Sequence, residues 1–329
     1  MNKLLTFVLL AAQACVAKAG YDSYKSWVYN QADSINAGSN CGADEDYACS
    51  PENWDSVNDD CAGTSQSPIN VVQASPSSDL SGLQLTKAKS SCNAVYLIDN
   101  YHTWKVDMTS CDDAYYATWK GTDYYLIQFH FHSPSENTIG GGYFDAEMHL
   151  VHASAEGELL VIGVMFDVVD YGGNHFFSQF WNNTWSDDPD WYRVVSLESN
   201  LDPYTEILPA TPSYYHWNGS LTTPPCSEGV TWILMSQPSS MSQTQLDMMR
   251  DGIASHTNTQ VGPDGNFNRP VQALNGRDVL MYVPGFGDDD EDCDNDGLPC
   301  VDDADIAASL GFSIKAIAVG VAAVLAAVL

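Results

Sequence analysis

Short runs of alternating apolar and polar residues dominate the middle of the chain. Between about residues 67 and 283 these runs are rich in β-branched and aromatic residues and are separated by Gly, Pro, Asn and Asp, which predicts a mainly β domain. One stretch, 242–255, instead has helical spacing, with Leu246, Met249 and Ile253 on one face as expected core residues. The clearest candidate strands are 93–98, 103–108, 124–132, 147–153, 159–166 and 230–235.

The two ends of the chain have patterns that differ from the middle. Lys3, an apolar run and the small residues Ala17 and Ala19 predict a secretory signal peptide over 1–19. At the other end the unbroken apolar run is 14 residues long, shorter than the roughly 20 that a spanning helix needs. The end therefore predicts a glycosylphosphatidylinositol (GPI) anchor signal, with a membrane-spanning tail as the alternative. The expected order is signal peptide 1–19, acidic segment 20–44, domain 45–285, acidic linker 286–309 and hydrophobic tail 310–329.

The charge of the chain limits the classes of partner. Of 329 residues, 43 are acidic and 12 are basic, so the formal net charge is −31. Such a chain lacks the basic surface that nucleic acid requires, and it does not favour electrostatic docking on anionic lipid. The acidity predicts a well-solvated surface that tolerates salt.

Cysteines and glycosylation motifs agree with a secreted, extracellular chain. Of nine cysteines, Cys15 lies in the predicted signal peptide, which leaves eight. An even number in a secreted chain predicts disulfides, although the sequence alone does not give their connectivity. Asn182 and Asn218 begin acceptor motifs for N-linked glycosylation.

The acidic linker contains half of the pattern of a calcium-binding loop. Asp292, Asp294 and Asp296 have the spacing of its first ligands, and Asp303 stands at the twelfth position, where Glu is usual. One interpretation is a weak Ca²⁺ site. The alternative is a solvated acidic stalk, which is the commoner use of such a run.

Three histidines have the spacing of a metal site. In a strand, residues i and i+2 point to the same side, so His130 and His132 share one face. By the same parity Glu147 and His149 project together, and His152 points away as a hydrogen-bonded core residue. If the two strands pair through these faces, three imidazoles converge as in a catalytic Zn²⁺ site with an open fourth position. Glu147 would then accept the spare ring N–H of His149.

A series of motifs in the right order resembles the α-class carbonic anhydrases over roughly residues 45–284. Two match the family's N-terminal signature, two its metal strands, one its active-site loop and two its C-terminal signature. In chain order they are 51–54 (PENW), 66–70 (QSPIN), 128–132 (QFHFH), 147–152 (EMHLVH), 220–225 (SLTTPP), 268–272 (NRPVQ) and 274–277 (LNGR). The resemblance implies one domain around a large, twisted, mostly antiparallel sheet with a few short helices.

The resemblance also implies a reaction, the reversible hydration of CO2 to bicarbonate and a proton. One Zn²⁺ would be held by His130, His132 and His149. Thr222 would accept a hydrogen bond from the attacking hydroxide and pass its own proton toward Glu136. His102 would be the proton shuttle, since an unperturbed histidine titrates near pH 6.5. The polar and apolar walls of the cleft correspond to Asn100, Gln128, Val151, Val161, Leu221, Thr223 and Trp232.

The family further suggests disulfides. Cys61–Cys226 matches a pair found in the family's extracellular members, which clamps the active-site loop. Cys92–Cys111 flanks one hairpin. Cys41–Cys49 is assigned by elimination, and Cys293–Cys300 could close a small loop in the linker.

Some positions depart from the family, and none of them removes a catalytic group. Asn137 stands where His is common, and the family's N-terminal cleft tyrosine has no clear counterpart, because Tyr47 is too close to Trp54. The alternative function is a catalytically weak binding, adhesion or mineral-matrix domain on the same scaffold. Loss of a zinc histidine would indicate a silent domain, and all three are present.

Overall fold

The structure is a computed structural model, and it describes Tyr29 and residues 50–89, 92–100, 102–111, 113–181, 193–197, 201–210, 212–255 and 266–286. The chain divides into two compact units, Met1–Pro284 and Gly285–Leu329. Nearly all of the described residues belong to the first unit. Among them, no helix is long and apolar enough to cross a membrane.

Fifteen strands are present in these described ranges, together with three α-helices and three short 3-10 turns. The strands are β1 (Asn70–Val71), β2 (Ser75–Pro76), β3 (Gln84–Lys87), β4 (Val95–Asp99), β5 (Trp104–Asp107), β6 (Tyr115–Trp119), β7 (Thr122–His132), β8 (Thr138–Ile139), β9 (Ala146–Ala153), β10 (Leu159–Val169), β11 (Arg193–Leu197), β12 (Tyr214–Ser220), β13 (Glu228–Met235), β14 (Ser239–Ser242) and β15 (Leu280–Tyr282). The helices are α1 (His175–Ser178), α2 (Pro203–Ile207) and α3 (Gln243–Ala254), and the turns are Pro51–Ser56, Asp59–Ala62 and Thr109–Cys111.

Thirteen of the described strands form one sheet. Its main path runs β11-β4-β5-β7-β9-β10-β13-β12-β15-β2, with β6 beside β7, β3 beside β6 and β14 beside β10. Most neighbours are antiparallel, but β10 pairs in parallel with β13 and β14, and β15 pairs in parallel with β2. The prediction of a mainly β fold with a mostly antiparallel sheet and few short helices is confirmed.

The central strands separate an aromatic core from a polar cleft. Phe129 and Phe131 lie on the opposite face of β7 from the two histidines and are at most 1% exposed. They pack against a cluster of aromatic rings on and after α1, namely Phe176, Phe177, Phe180 and Trp181. Neighbouring β9 is buried along its whole length, so it shows no alternation of exposure. The core therefore covers the back of the strands that carry the site.

The one predicted helix is confirmed as α3. The Ser242 side chain accepts from the Gln245 backbone, and the Gln245 side chain accepts from the Ser242 backbone, which is a complete capping box. Leu246, Met249 and Ile253 are buried, as their helical spacing predicted.

Two of the four predicted disulfides are confirmed. Cys61–Cys226 joins residues 165 positions apart and ties the turn Asp59–Ala62 to the loop after β12. Cys92–Cys111 joins residues 19 positions apart. Outside the described residues lie the other two pairs, the signal peptide, the linker, the tail and Asn182.

Candidate active site

Strand register brings the three predicted histidines together. His130 on β7 lies directly opposite His149 on β9, and His132 lies opposite Glu147. The ring centroids are 4.9 Å apart for His130 and His132, 5.2 Å for His130 and His149, and 4.6 Å for His132 and His149. One nitrogen of each ring lies within 4.8 Å of the other two. The predicted convergence is confirmed.

Hydrogen bonds decide which nitrogens of the first two histidines face the site. Nδ1 of His132 lies 3.0 Å from the carbonyl oxygen of Phe267, and Nδ1 of His130 lies 2.9 Å from Oε1 of Gln128. Each oxygen accepts a ring N–H, so Nε2 of each ring is left with its lone pair. Burial lowers the pKa of both rings well below the usual value, which keeps them neutral. The buried Nε2 of His132 has no hydrogen-bond partner, as expected for a metal-ligand nitrogen.

A buried carboxylate orients the third histidine. Oε1 of Glu147 accepts from Nε2 of His149 at 2.9 Å and from the Asn137 amide at 2.7 Å. Its Oε2 accepts the backbone N–H groups of Glu136 and Asn137, both at 2.8 Å. Burial alone would raise the pKa of Glu147, but His149 and the Asn137 bonds outweigh it and hold the pKa below its ordinary value. Glu147 is thus an acceptor, as predicted, and Nδ1 of His149 faces the site. Three imidazole lone pairs that converge in this way fit Zn²⁺.

A glycine on β10 leaves room for that carboxylate. Gly163 is directly opposite His149. A Cβ at Gly163 would lie 3.1 Å from Oε1 of Glu147 and 2.8 Å from Cδ1 of Leu234. The close approach of these side chains explains why this position has no side chain of its own.

The predicted pair of Thr222 and Glu136 lies beside the histidines. Oε1 of Glu136 accepts the backbone N–H of Arg269 at 2.7 Å and lies 3.4 Å from Nδ1 of His132. Burial raises the pKa of Glu136 to about 7, while His149, the Thr222 hydroxyl and the Arg269 N–H act in the opposite direction. Thr222 is itself only 5% exposed. Thr222 is close enough to affect the pKa of Glu136, and the buried Oε2 of Glu136 makes no hydrogen bond among the described residues, so this oxygen can accept a proton from a neighbouring hydroxyl.

The predicted walls of the cleft lie in one row across four strands. Gln128 is opposite Val151, Val151 is opposite Val161, and Val161 is opposite Trp232. The Trp232 ring meets the His149 ring edge-on, with centroids 4.9 Å apart. The remaining predicted members, Leu221, Thr223 and Asn100, are half-buried.

The predicted shuttle histidine is buried. His102 is 5% exposed, and burial lowers its pKa to about 3. The side-chain oxygen of Asn100 accepts the backbone N–H groups of His102 and Thr103, at 3.3 and 3.0 Å, and forms the turn that holds the ring inward. The expectation of an unperturbed histidine near pH 6.5 is therefore wrong for this conformation, because the ring is desolvated. The shuttle role itself stays a prediction.

Some residues of the site were missed in the sequence. Tyr29 is buried and meets the rings of His102 and His132 edge-on, at 6.3 and 6.5 Å. Its ring centroid also lies 5.8 Å from that of Trp54, which makes Tyr29 the candidate for the cleft tyrosine that the sequence did not assign. Tyr29 lies far before Trp54 in the sequence, so the motif around Trp54 did not point to it.

The sheet and the three oriented histidines, which could hold one metal ion, with Thr222 and Glu136 beside them, are features of an α-carbonic anhydrase site. A family model described as eukaryotic-type carbonic anhydrase matches residues 49–283. The carbonic anhydrase of Klebsiella pneumoniae is 37% identical over 237 residues, which cover 70% of this chain and 87% of that protein. The carbonic anhydrase of Neisseria gonorrhoeae is 32% identical over 281 residues, which cover 84% and 96%.

A solved structure of this family has a similar fold. An α-carbonic anhydrase from Thermovibrio ammonificans, in complex with the inhibitor sulfanilamide, superposes with a TM-score of 0.60 at 33% identity. The match covers 74% of this chain and 97% of that one. This chain therefore belongs to the α-class carbonic anhydrase family, and it is an enzyme, a lyase that hydrates CO2.

Proposed function

We propose that the chain interconverts CO2 with bicarbonate and a proton by means of one Zn²⁺ per chain. The ligands would be Nε2 of His130, Nε2 of His132 and Nδ1 of His149. The ion would supply Lewis acidity that lowers the pKa of a water to about 7, an effect for which carbonic anhydrases are the standard example. The observation that carries the proposal is the convergence of three lone pairs, each fixed by an acceptor on the other ring nitrogen.

The chain's own residues supply orientation and a dry surface. With its hydroxyl proton directed at Glu136, the Thr222 oxygen is free to accept a hydrogen bond from the attacking hydroxide. This leaves a hydroxide lone pair directed at the substrate carbon. Val151, Val161 and Trp232 are each at most 5% exposed and give neutral CO2 an apolar surface beside the histidines.

Zinc content and CO2 hydration, measured together, test the proposal. We expect one zinc per chain and fast hydration in the native enzyme, and loss of both in His149→Ala. The control is His175→Ala, because the His175 side chain lies on helix α1, is 85% exposed and pairs with Glu206, not with any of the three ligands. Circular dichroism confirms that each variant is folded.

A folded, zinc-replete enzyme that is slow would favour the alternative function, a binding, adhesion or mineral-matrix domain. Added imidazole separates that outcome from poor proton export, because a small buffer restores turnover only when proton transfer limits the rate.

We further propose that the protein is secreted and held by a lipid at the extracellular face of a membrane. The support is the predicted signal peptide and GPI signal, the Cys61–Cys226 and Cys92–Cys111 disulfides, which are typical of oxidising compartments, and the exposed Asn218 in its acceptor motif. Release from intact cells by phosphatidylinositol-specific phospholipase C would support the lipid anchor. Resistance to that enzyme and to alkaline extraction would support a spanning tail.

The acidic linker is proposed as a weak Ca²⁺ site on sequence grounds alone. Calorimetric titration of a peptide covering 286–306 tests it. Absence of saturable binding near millimolar Ca²⁺ leaves the linker as a stalk.

A further inference from the structure

A lysine stands on the cleft wall next to a zinc-ligand histidine. Lys105 on β5 lies directly opposite His130 on β7, and opposite Ile98 on β4. Directly opposed residues of antiparallel strands point to the same side, with Cβ atoms about 4.5–5.5 Å apart. The Lys105 side chain therefore leaves the sheet on the face that carries the three histidines. It is half-buried, so its ammonium is partly shielded from solvent.

Lys105 forms no ion pair with the carboxylates that the structure describes. Among the described lysines, Lys87 pairs with Asp202 and Lys89 pairs with Asp113, whereas Lys105 and Lys120 make no ion pair with a described carboxylate. Burial lowers the pKa of Lys105, and the charge of Asp107, two residues along, acts in the opposite direction. Oδ1 of Asp107 accepts the backbone N–H of Thr109 at 2.9 Å.

The field of this lysine reaches the metal site. Lys105 stands at the strand position directly opposite His130, so its ammonium lies on the same face as the three-histidine group. In a chain with a net charge of −31, a cation on the wall of the cleft has a large relative effect on an approaching anion.

We propose that Lys105 is an anion-binding residue that holds bicarbonate, and competing monovalent anions, beside the zinc ligands. The inference rests on the proposed zinc enzyme. CO2 is neutral, so its binding does not depend on this charge. If Lys105 stabilises mainly bound bicarbonate, its removal raises KM and kcat of dehydration together. The value of kcat/KM then changes little for hydration and for dehydration, because the overall equilibrium constant fixes the ratio of these two kcat/KM values.

Anion binding at equilibrium is the direct test. The full-length enzyme is loaded with Co²⁺, its metal content is measured, and the visible spectrum is titrated with thiocyanate and then with bicarbonate. Lys105→Met keeps the side-chain length without the charge, and we expect it to raise both dissociation constants about three- to tenfold. Lys105→Arg keeps a charge and should stay within about twofold of the native enzyme. Lys89→Met removes the same charge in the exposed loop after β3 and should have no effect beyond twofold.

The outcomes separate the inference from the function on which it rests. Metal-loaded Lys105→Met with unchanged anion affinity overturns the role of Lys105 and leaves the zinc enzyme intact. Equal weakening in Lys89→Met also overturns it, because the effect would then come from net charge. Failure of the native chain to bind Co²⁺ or Zn²⁺ overturns the proposed function, and the role of Lys105 with it.

Discussion

The three acceptors that orient the histidines differ in electrical character. Gln128 offers an amide oxygen and Phe267 a backbone carbonyl, whereas Glu147 offers a carboxylate. A negative acceptor makes the imidazole it binds more basic and therefore a stronger metal ligand. Among the three contacts, the one from His149 to Glu147 should consequently contribute most to metal affinity.

Replacing that carboxylate should weaken the metal site. In Glu147→Gln the side chain keeps its size, but one acceptor oxygen becomes an N–H2 group facing existing donors. We expect zinc affinity to fall about 10- to 100-fold and the free energy of unfolding to fall by about 1–3 kcal/mol. Competition with a chromophoric chelator measures the affinity. The control is Glu158→Gln, an exposed residue whose carboxylate accepts from the Tyr124 hydroxyl at 3.2 Å. Unchanged zinc affinity in Glu147→Gln would contradict the argument.

The buried His102 predicts a pH dependence of stability. Its pKa is about 3 in the folded chain because of burial, and about 6.5 in the unfolded chain. Between these values the unfolded state binds more protons, so stability falls as the pH decreases from about 6.5 toward 3. In His102→Gln that loss should be smaller, by on the order of a few kcal/mol across the window.

Urea unfolding at pH 4.5 and at pH 7.5 checks this prediction. His175→Gln, at a histidine that is 85% exposed, is the matched control and should keep the native pH dependence. If His102→Gln shows the native dependence, the ring is not buried in solution, and the shuttle role gains support.

Strand periodicity explains both the success and the limits of the sequence analysis at the level of elements. Parity placed His130, His132, His149 and Glu147 correctly, because alternation along a strand is fixed by backbone geometry. Parity gives the side of a strand to which a side chain points, but it does not give how deeply that side chain is buried. The burial of His102 was missed for this reason. The Phe267 carbonyl has no side-chain signature, and its position depends on long-range folding.

The Cys61–Cys226 disulfide is expected to stabilise the loop that carries Thr222. It closes a segment of 165 residues, whereas Cys92–Cys111 closes one of 19. On a chain-entropy estimate, removal of the first should cost about 5 kcal/mol and removal of the second about 3. Paired Cys→Ala variants at each bridge, compared by urea unfolding, measure the difference. A loss no larger at Cys61–Cys226 than at the short bridge would show that loop entropy does not set the ranking.

At the scale of the whole molecule, acidity has opposite consequences for folding and for solubility. Twelve basic side chains cannot neutralise 43 acidic ones, and Arg269, one of the twelve, is buried at 2% exposure. Like charges keep molecules apart in solution, but they also repel within the compact state and weaken it. Salt screens this repulsion, so salt should stabilise the fold as well as being tolerated.

The salt dependence of unfolding tests this balance on the full chain. As NaCl rises from about 0.01 M to 0.1 M, the screening length falls from about 30 Å to about 10 Å. We expect the free energy of unfolding in urea, followed by tryptophan fluorescence, to rise by about 1–3 kcal/mol, mostly below about 0.3 M. A free energy of unfolding that levels off with NaCl indicates charge screening, whereas stabilisation by salt exclusion keeps increasing at higher concentrations. A fold that loses stability or solubility as NaCl rises would show that its acidic groups are held by specific contacts that salt disrupts, and the salt-tolerance hypothesis would be wrong.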